Sequence, residues 1–291
     1  MQNIAVLLTC FNRKDKTLKC LNSLYKALEE SQNYSPEISI YLTDDGSSDG
    51  TGDAVRKNYP DVQVLEGTGS LFWAGGMRFA WKEAIKHNYD GYLLINDDTI
   101  LEEFLFDRLY DTHCYSIQNF KKPGIYIGST YNSETGVLTY GGWEIKNGFM
   151  GLSERIQPAD APQLCDLGNA NIMMVPSEVV DSIGIISEGY RHGIADFDLT
   201  LKAKKKGFPN LLVPGFVGKC VFDHSSPYPK FKEMKFKERI KTLYSPIGLD
   251  FSSHLTFMRR HFPLRLPFVY FSGWLKVLFP GIYISISKLR G

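Results

Sequence analysis

Apolar runs that stop at polar clusters alternate with amphipathic stretches along the first third of the chain. Ile4 to Leu8 form a continuous apolar run ending at Thr9, and Asp15 to Leu28 then set Leu18, Leu21, Leu24, Tyr25 and Leu28 at helical spacing. The pair reads as strand, loop, helix. Ile38 to Leu42 repeat the pattern, followed by the turn-rich stretch Asp44 to Thr51 and a segment from Asp53 to Tyr59. Val62 to Leu65 and a helix over Met77 to His87 repeat it again, and Tyr92 to Ile95 form a fourth buried strand ending at Asn96-Asp97-Asp98. Strands alternating with helices predict a parallel sheet with crossover connections. Ligands of such sheets bind beyond the carboxyl ends of the strands. The polar clusters Thr9 to Arg13, Asp44 to Asp49 and Asn96 to Asp98 all fall on that edge.

Beyond residue 120 the pattern turns irregular. The Gly-rich stretch Gly136 to Gly151 suggests hairpins, Ile172 to Val175 an apolar strand, the region from Asp196 a helix, and Val217 to Asp223 a further strand. Ser225 to Pro229 mark a boundary, which divides the chain into a domain over 1–227, with halves 1–120 and 121–227, and an extension over 228–291. Composition sharpens this division. The 291 residues are 43% hydrophobic and 22% charged, enough to bury a core and to exclude a disordered chain. A net charge of +1 gives no global field for nucleic acid, so none is expected as a partner. The extension, however, holds twelve basic and three acidic residues, a local +9 against −8 for the remainder. Five widely spaced cysteines without a CxxC pair read as reduced thiols. The N-terminus reaches polar Thr9 after only five apolar residues and has no charged leader, so a cytoplasmic start is expected.

The ordered motifs Thr9-Cys10-Phe11-Asn12-Arg13, Asp44-Asp45-Gly46-Ser47-Ser48-Asp49-Gly50-Thr51 and Asn96-Asp97-Asp98 together resemble the family-2 glycosyltransferases. The stretch Gly67 to Met77, containing Phe72-Trp73-Ala74-Gly75-Gly76, is similar to the rhamnosyl- and galactofuranosyltransferase-like branch. The resemblance covers roughly residues 3 to 225. It implies an α/β GT-A fold, a Rossmann-like mixed sheet flanked by helices, with the basic and apolar extension as a helical appendage. Residues 1–120 would then bind the nucleotide sugar and residues 121–227 the acceptor. The implied activity is transfer of a sugar from a nucleotide-diphosphate sugar to a saccharide or polyprenyl-linked saccharide of a surface polysaccharide. dTDP-rhamnose is the first donor candidate, then UDP-galactofuranose and UDP-hexoses.

The residue chemistry can be read independently. A carboxylate at a strand end can accept from a base N–H while backbone amides approach the ribose, a task suited to Asp44 and Asp45 beside Gly46. The same stretch also reads as a turn and helix cap through Ser48 or Asp49. Thr9, Phe11, Asn12, Arg13, Trp73, Gly75, Gly76, Asn96 and Asp97 complete the expected donor site. Trp73 could stack on a sugar or pack in the core. Arg78, one helix position past a Gly-Gly turn, could meet the pyrophosphate or lie solvated on the helix. After a buried strand one Asp can face a metal, and Asp98 is the choice for Mg²⁺ or Mn²⁺, ions that bind through one or two carboxylates and phosphate oxygens. The alternative is a helix cap before Leu101 to Leu109. In related enzymes a His after a strand such as 217–223 reaches the metal, which makes His224 the second candidate ligand.

Gly193 to Leu199 resemble the family's E-D-x-D-L motif, whose first Asp is the general base; that position is Asp196, and Ala195 stands where the family has Glu. Asp196 and Asp198 lie about 200° apart around a helix, so only one can face the cleft. The expected reaction is a single displacement that inverts the anomeric centre. Two other classes compete: a nucleotidyltransferase, which would want a Gly-rich basic loop where residues 9–13 have no glycine, and a non-catalytic nucleotide-sugar-binding module. In the extension, the longest uncharged runs of Phe262 to Ser287 are too short to span a bilayer. Its mixture of aromatic and basic residues predicts peripheral contact with the inner face of the cell membrane, a homodimer interface being the other use of such a tail.

Overall fold

Continuous apolar strands need cover on both faces, and the helices supply it. The computed structural model describes residues 1–148, 151–222 and 231–288. In chain order the elements are β1 (Asn3–Cys10), α1 (Lys14–Glu29), β2 (Glu37–Asp44), α2 (Thr51–Asn58), β3 (Gln63–Glu66), α3 (Phe72–Ala84), β4 (Gly91–Ile95), β5 (Ile100–Leu101), α4 (Leu105–Phe120) and β6 (Ile125–Tyr131). There follow β7 (Leu138–Tyr140), β8 (Gly142–Asn147), β9 (Leu152–Arg155), β10 (Gln163–Leu164), β11 (Leu167–Gly168), β12 (Ile172–Pro176), α5 (Ser177–Ile183), α6 (Ala195–Lys205) and β13 (Asn210–Lys219). The C-terminal segment is helical: α7 (Phe236–Tyr244), α8 (Phe251–His261), α9 (Leu266–Leu278) and α10 (Pro280–Lys288).

The main sheet runs β10-β13-β6-β12-β4-β1-β2-β3, with β5 on β13 and β7 on β6. Strands β1 to β4 are mutually parallel where they pair, whereas β12 lies antiparallel between β4 and β6. The sheet is therefore mixed. Period-2 alternation splits each strand between two cores. Ile4, Val6 and Leu8 of β1 join Leu21, Leu24 and Phe106 on one face, while Ala5 and Leu7 join Met77, Trp81 and Leu199 on the other. A small second sheet, β11-β8-β9, stands beside this frame.

Three local readings change. Helix α3 begins at Phe72 rather than Met77, because Asp45 accepts the N–H groups of Leu71 and Phe72 and so satisfies the helix start. Gly75 and Gly76 therefore lie inside a helix and do not form a turn. Residues 100–101 pair as β5 with Gly218 and Lys219, so Asn96 to Thr99 form a turn into a strand, and the helix expected from Leu101 starts at Leu105. The strand expected over 217–223 is β13, which ends at Lys219.

Helices α7 to α9 surround a small core of Phe231, Leu243, Phe251 and Val277. Helix α8 also joins the main body, where Phe257 and Met258 enter the core shared by α3 and α6. Its first turn holds the loop before α6: Asp250 accepts from the His192 N–H (3.3 Å) and Ser253 from the Arg191 N–H (3.1 Å). At its other end His261 Nε2 donates to Asp198 (2.7 Å), which also accepts from the Ser187 and Tyr190 hydroxyls. Burial alone would raise the Asp198 pKa, but the hydrogen bond from His261, with those from Ser187 and Tyr190, holds it down at about 2. Asp198 is thus a buried strut between α6 and α8. Asp198→Ala should cost about 3–5 kcal/mol in urea unfolding, since it strands its partners in the interior. The depressed carboxyl contributes stability above its ordinary pKa, so wild-type stability should fall as pH drops from about 4 toward 2, and Asp198→Ala should lose that part of the dependence.

Candidate active site

The antiparallel register sets Ile95 of β4 against Ile172 of β12, so the turns 96–98 and 169–171 lie side by side. The Asn96 N–H donates to the Asn171 carbonyl (3.2 Å), closing this seam. On its near side, Arg13 at the end of the first loop bridges both acids, 2.7 Å from Asp98 Oδ2 and 3.3 Å from Asp97 Oδ1. Lys16 adds a longer contact of 3.9 Å to Asp98. Asp97 is deeply buried and also accepts from the Thr17 hydroxyl (3.3 Å). Burial pushes its carboxyl up to about 7, against the opposing pull of Arg13. Asp98 lies against the Cys220 thiol, which donates to Oδ1 over 3.7 Å. All five cysteines are free thiols.

On the far side of the seam the Ala170 N–H donates to Asp196 Oδ2 (3.2 Å), and Phe197 N–H to Oδ1 (2.9 Å). Burial raises the Asp196 carboxyl to about 6, even with hydrogen bonds from Ala170, Phe197 and the Asn169 side chain pulling it down. Asp196 is thus bonded to the 169–171 turn at Ala170, and Asp98 belongs to the turn that adjoins it. Asn171 itself reaches the Cys220 sulfur (3.6 Å), and Cys220 contacts Asp98, which ties the two sides together.

The other expected donor residues divide by what they touch. Phe11 is 51% exposed, and Asn12 adopts a left-handed conformation and accepts from the Ser48 N–H (2.7 Å), locking the first loop to the Asp44 turn. Gly46 is required because its φ is +78° and an added Cβ would sit 3.2 Å from the Gly69 backbone. Asn96 accepts from the Trp73 indole N–H (2.7 Å), so Trp73 braces the acidic turn while packing partly against the core.

Four of the expected donor residues make their contacts within the protein. Asp45 spends its carboxylate on three backbone N–H groups, those of Gly69 (2.8 Å), Leu71 (2.9 Å) and Phe72 (3.0 Å), and is buried beneath that loop. Asp44 is buried too, accepting from the Ser47 N–H (2.9 Å) with its other oxygen against Gly52. Thr9 is covered by Gly76, where a Cβ would come within 2.1 Å of its hydroxyl; Gly76 serves close packing of α3 on β1. Arg78 is buried and donates to the carbonyls of Ile186 (3.2 Å), Ser187 (2.8 Å) and Tyr190 (3.0 Å), so its guanidinium organises the loop before α6. His224 lies outside the described residues.

Sequence reasoning missed the 169–171 turn. Its signal was present: Asn169-Ala170-Asn171 is a polar cluster abutting the apolar run Ile172 to Val175, as the three recognised clusters abut theirs. Among the described residues no group of three or more His, Cys, Asp or Glu is arranged to hold a metal. The chemistry of the acidic turn still suits a hard cation completed by phosphate. It offers carboxylate oxygens from two adjacent acids, with Arg13 already drawn to both.

A mixed sheet flanked by helices, with an acidic turn at the end of its central parallel strand, defines the GT-A fold of nucleotide-sugar transferases. The sequence of that half agrees: residues 5–104 match the family model described as glycosyl transferase family 2. In fold the chain is similar to the mannosyltransferase PcManGT from Pyrobaculum calidifontis, solved in complex with GDP-Man and Mn2+. The likeness has a TM-score of 0.53 at 14% identity and covers 99% of this chain and 75% of that one. No curated protein matches the sequence.

Asp45→Ala should leave three N–H groups without their acceptor and lower unfolding free energy by about 1–3 kcal/mol. Hydrogen exchange at Gly69, Leu71 and Phe72 should accelerate selectively; unchanged protection there would remove the anchoring role.

Proposed function

We propose that this chain is an inverting, metal-dependent glycosyltransferase that uses a nucleotide-diphosphate sugar. The observation that carries the reading is the seam at Asn171, where the turn that holds Asp196, a carboxylate with a raised pKa, adjoins the acidic turn. The match of residues 5–104 to family 2 supports the donor class, and the GDP-Man and Mn2+ of the structural neighbour support a divalent ion. Asp98 would hold that ion, Mg²⁺ or Mn²⁺, whose charge offsets that developing on the departing diphosphate. Arg13 and Lys16 add fixed positive charge beside it. Asp196 takes the proton from the acceptor hydroxyl. A base is most useful when its pKa lies near the working pH, and a value of about 6 leaves Asp196 ionised yet basic at neutrality. Among donors, the resemblance of the Phe72 to Gly76 stretch favours dTDP-rhamnose, then UDP-galactofuranose and UDP-hexoses. Incubation with labelled nucleotide sugars tests the reading: sugar transfer supports it, nucleotidyl transfer or no turnover of any donor contradicts it.

The acceptor we propose is a saccharide, free or lipid-linked, reached at the cytoplasmic face of a membrane. No helix among the described residues is long and apolar enough to cross a bilayer. Instead α9 and α10, with the turn before them, present Leu264, Phe268, Phe271, Phe279 and Ile282, each more than half exposed, beside Arg265 and Lys276. Such a surface suits interfacial docking. On this reading residues 1–227 form the catalytic domain and 228–291 its membrane-associating extension.

Asp196→Asn should reduce turnover by about 10²- to 10⁴-fold with donor binding nearly intact. In the wild type kcat/KM should fall as pH drops below about 6, because the base is then protonated, and level off above it. Near-wild-type turnover of the variant would transfer the role elsewhere. Asp98→Ala should abolish the Mn²⁺-dependent thermal stabilisation given by nucleoside diphosphates; equal stabilisation in EDTA for the wild type would remove the metal. The full chain should sediment with anionic liposomes in a salt-sensitive way, and Phe268→Ser with Phe271→Ser should release it. Equal sedimentation of both, or concentration-dependent dimerisation without lipid binding, would contradict membrane docking.

A further inference from the structure

The small sheet β11-β8-β9 places an aromatic cluster beside the proposed base. Trp143 of β8 donates its indole N–H to Asn169 Oδ1 (3.2 Å), and the N–H of the next residue, Ala170, donates to Asp196 Oδ2 (3.2 Å). Trp143 is therefore linked to the carboxylate through Asn169 and Ala170, and its ring meets Phe197, the residue after Asp196, edge-on with centres 6.4 Å apart. Across the β8–β9 ladder its partner is Arg155, whose guanidinium lies 4.8 Å from the Trp143 ring centre and 5.5 Å from that of Phe222. Phe222 is 48% exposed and packs at a tilt on Tyr140, with ring centres 5.6 Å apart. Among the described residues the Arg155 guanidinium makes one hydrogen bond, a 3.4 Å contact to the Leu138 carbonyl. Most of its five N–H groups remain available for a ligand.

A large exposed ring, a second aromatic behind it and an underused guanidinium at its edge match one class of molecule. A sugar ring has an apolar face of C–H bonds with partial positive charge, which suits the negative face of an aromatic ring, and a rim of hydroxyls that accept from Arg. We propose that Phe222, Tyr140, Trp143 and Arg155 form the acceptor subsite, an aromatic platform on which the accepting sugar lies with its hydroxyl turned toward Asp196. This assignment rests on the glycosyltransferase reading. The 169–170 turn gives the platform a second consequence: with Asn169 holding the indole and the Ala170 N–H holding the carboxylate, it fixes the wall and the base relative to each other.

Saturation-transfer NMR tests the platform with a panel of methyl glycosides: rhamnopyranoside, galactofuranoside, mannopyranoside and glucopyranoside. The wild-type protein should transfer saturation to ring C–H protons of at least one, and Phe222→Ala and Arg155→Gln should each weaken that binding by about two- to tenfold, the loss expected for one aromatic or charged contact. Both substitutions lie at an accessible surface, and thermal unfolding should confirm that the variants fold. The Mn²⁺-dependent thermal shift given by dTDP, UDP or GDP should stay at its wild-type value in both. Glycoside binding that survives both substitutions, or no glycoside binding by a wild-type protein that does bind a nucleoside diphosphate, overturns the platform alone. Failure to bind any nucleoside diphosphate removes the glycosyltransferase reading and the platform with it.

Discussion

The antiparallel pairing of β4 with β12 is the constraint on which the candidate site depends. Four parallel strands bring polar clusters to one sheet edge, but parallel strands alone would leave the second half of the chain without a fixed relation to them. Reversing β12 against β4 makes the start of one strand adjacent to the end of the other, so residues 169–171 meet residues 96–98. A slip of one residue would turn Met173 and Met174 to the wrong faces of two buried cores, which pins the register and with it the spacing across the cleft.

Acids at this edge look alike in sequence and are separated by their surroundings. Asp45 is saturated by backbone donors, and Asp198 is held ionised by His261, Ser187 and Tyr190; both stabilise structure. At Asp196 burial outweighs the hydrogen bonds, which come from neutral groups, and the carboxyl rises to about 6, the direction a proton acceptor needs. The pair Asp196 and Asp198 shows the sorting most clearly. Two residues apart on one helix, one faces the seam and the other faces α8, where its pKa falls to about 2. The clamp on Asp198 and the hold of Asp250 and Ser253 on residues 191–192 make α8 part of the frame that positions α6.

The strand and helix order through Ile95 was legible because each strand is a short apolar run bounded by a polar cluster, a local signal. Choices between neighbouring residues were not legible in the same way. Asp44 and Asp45 both stand at a strand end, yet Asp44 turns to Ser47 and Gly52 whereas Asp45 reaches Gly69 to Phe72, a loop more than twenty residues on. Arg78 looked solvent-directed or phosphate-directed, but its acceptors are carbonyls more than a hundred residues away in sequence. Gly76 likewise reads as a turn until α3 is seen pressed onto Thr9. The two-residue β5, which turns Asn96 to Thr99 away from a helix start, exists only because β13 lies beside it. Helix α8 was absorbed in an extension judged by composition, and its role in the main core depends on Phe257, Met258 and His261 at spacings that any amphipathic helix shares.

The most direct test of the account is a crystal structure of the protein with a nucleoside diphosphate sugar and Mn²⁺. The account predicts the ion bound to Asp98, the diphosphate beside Arg13, and the anomeric carbon between that ion and Asp196, with the Asp196 carboxylate on the side opposite the departing phosphate. A donor bound away from the Asn96 to Asp98 turn, or an anomeric carbon that Asp196 cannot face from the opposite side, would contradict it.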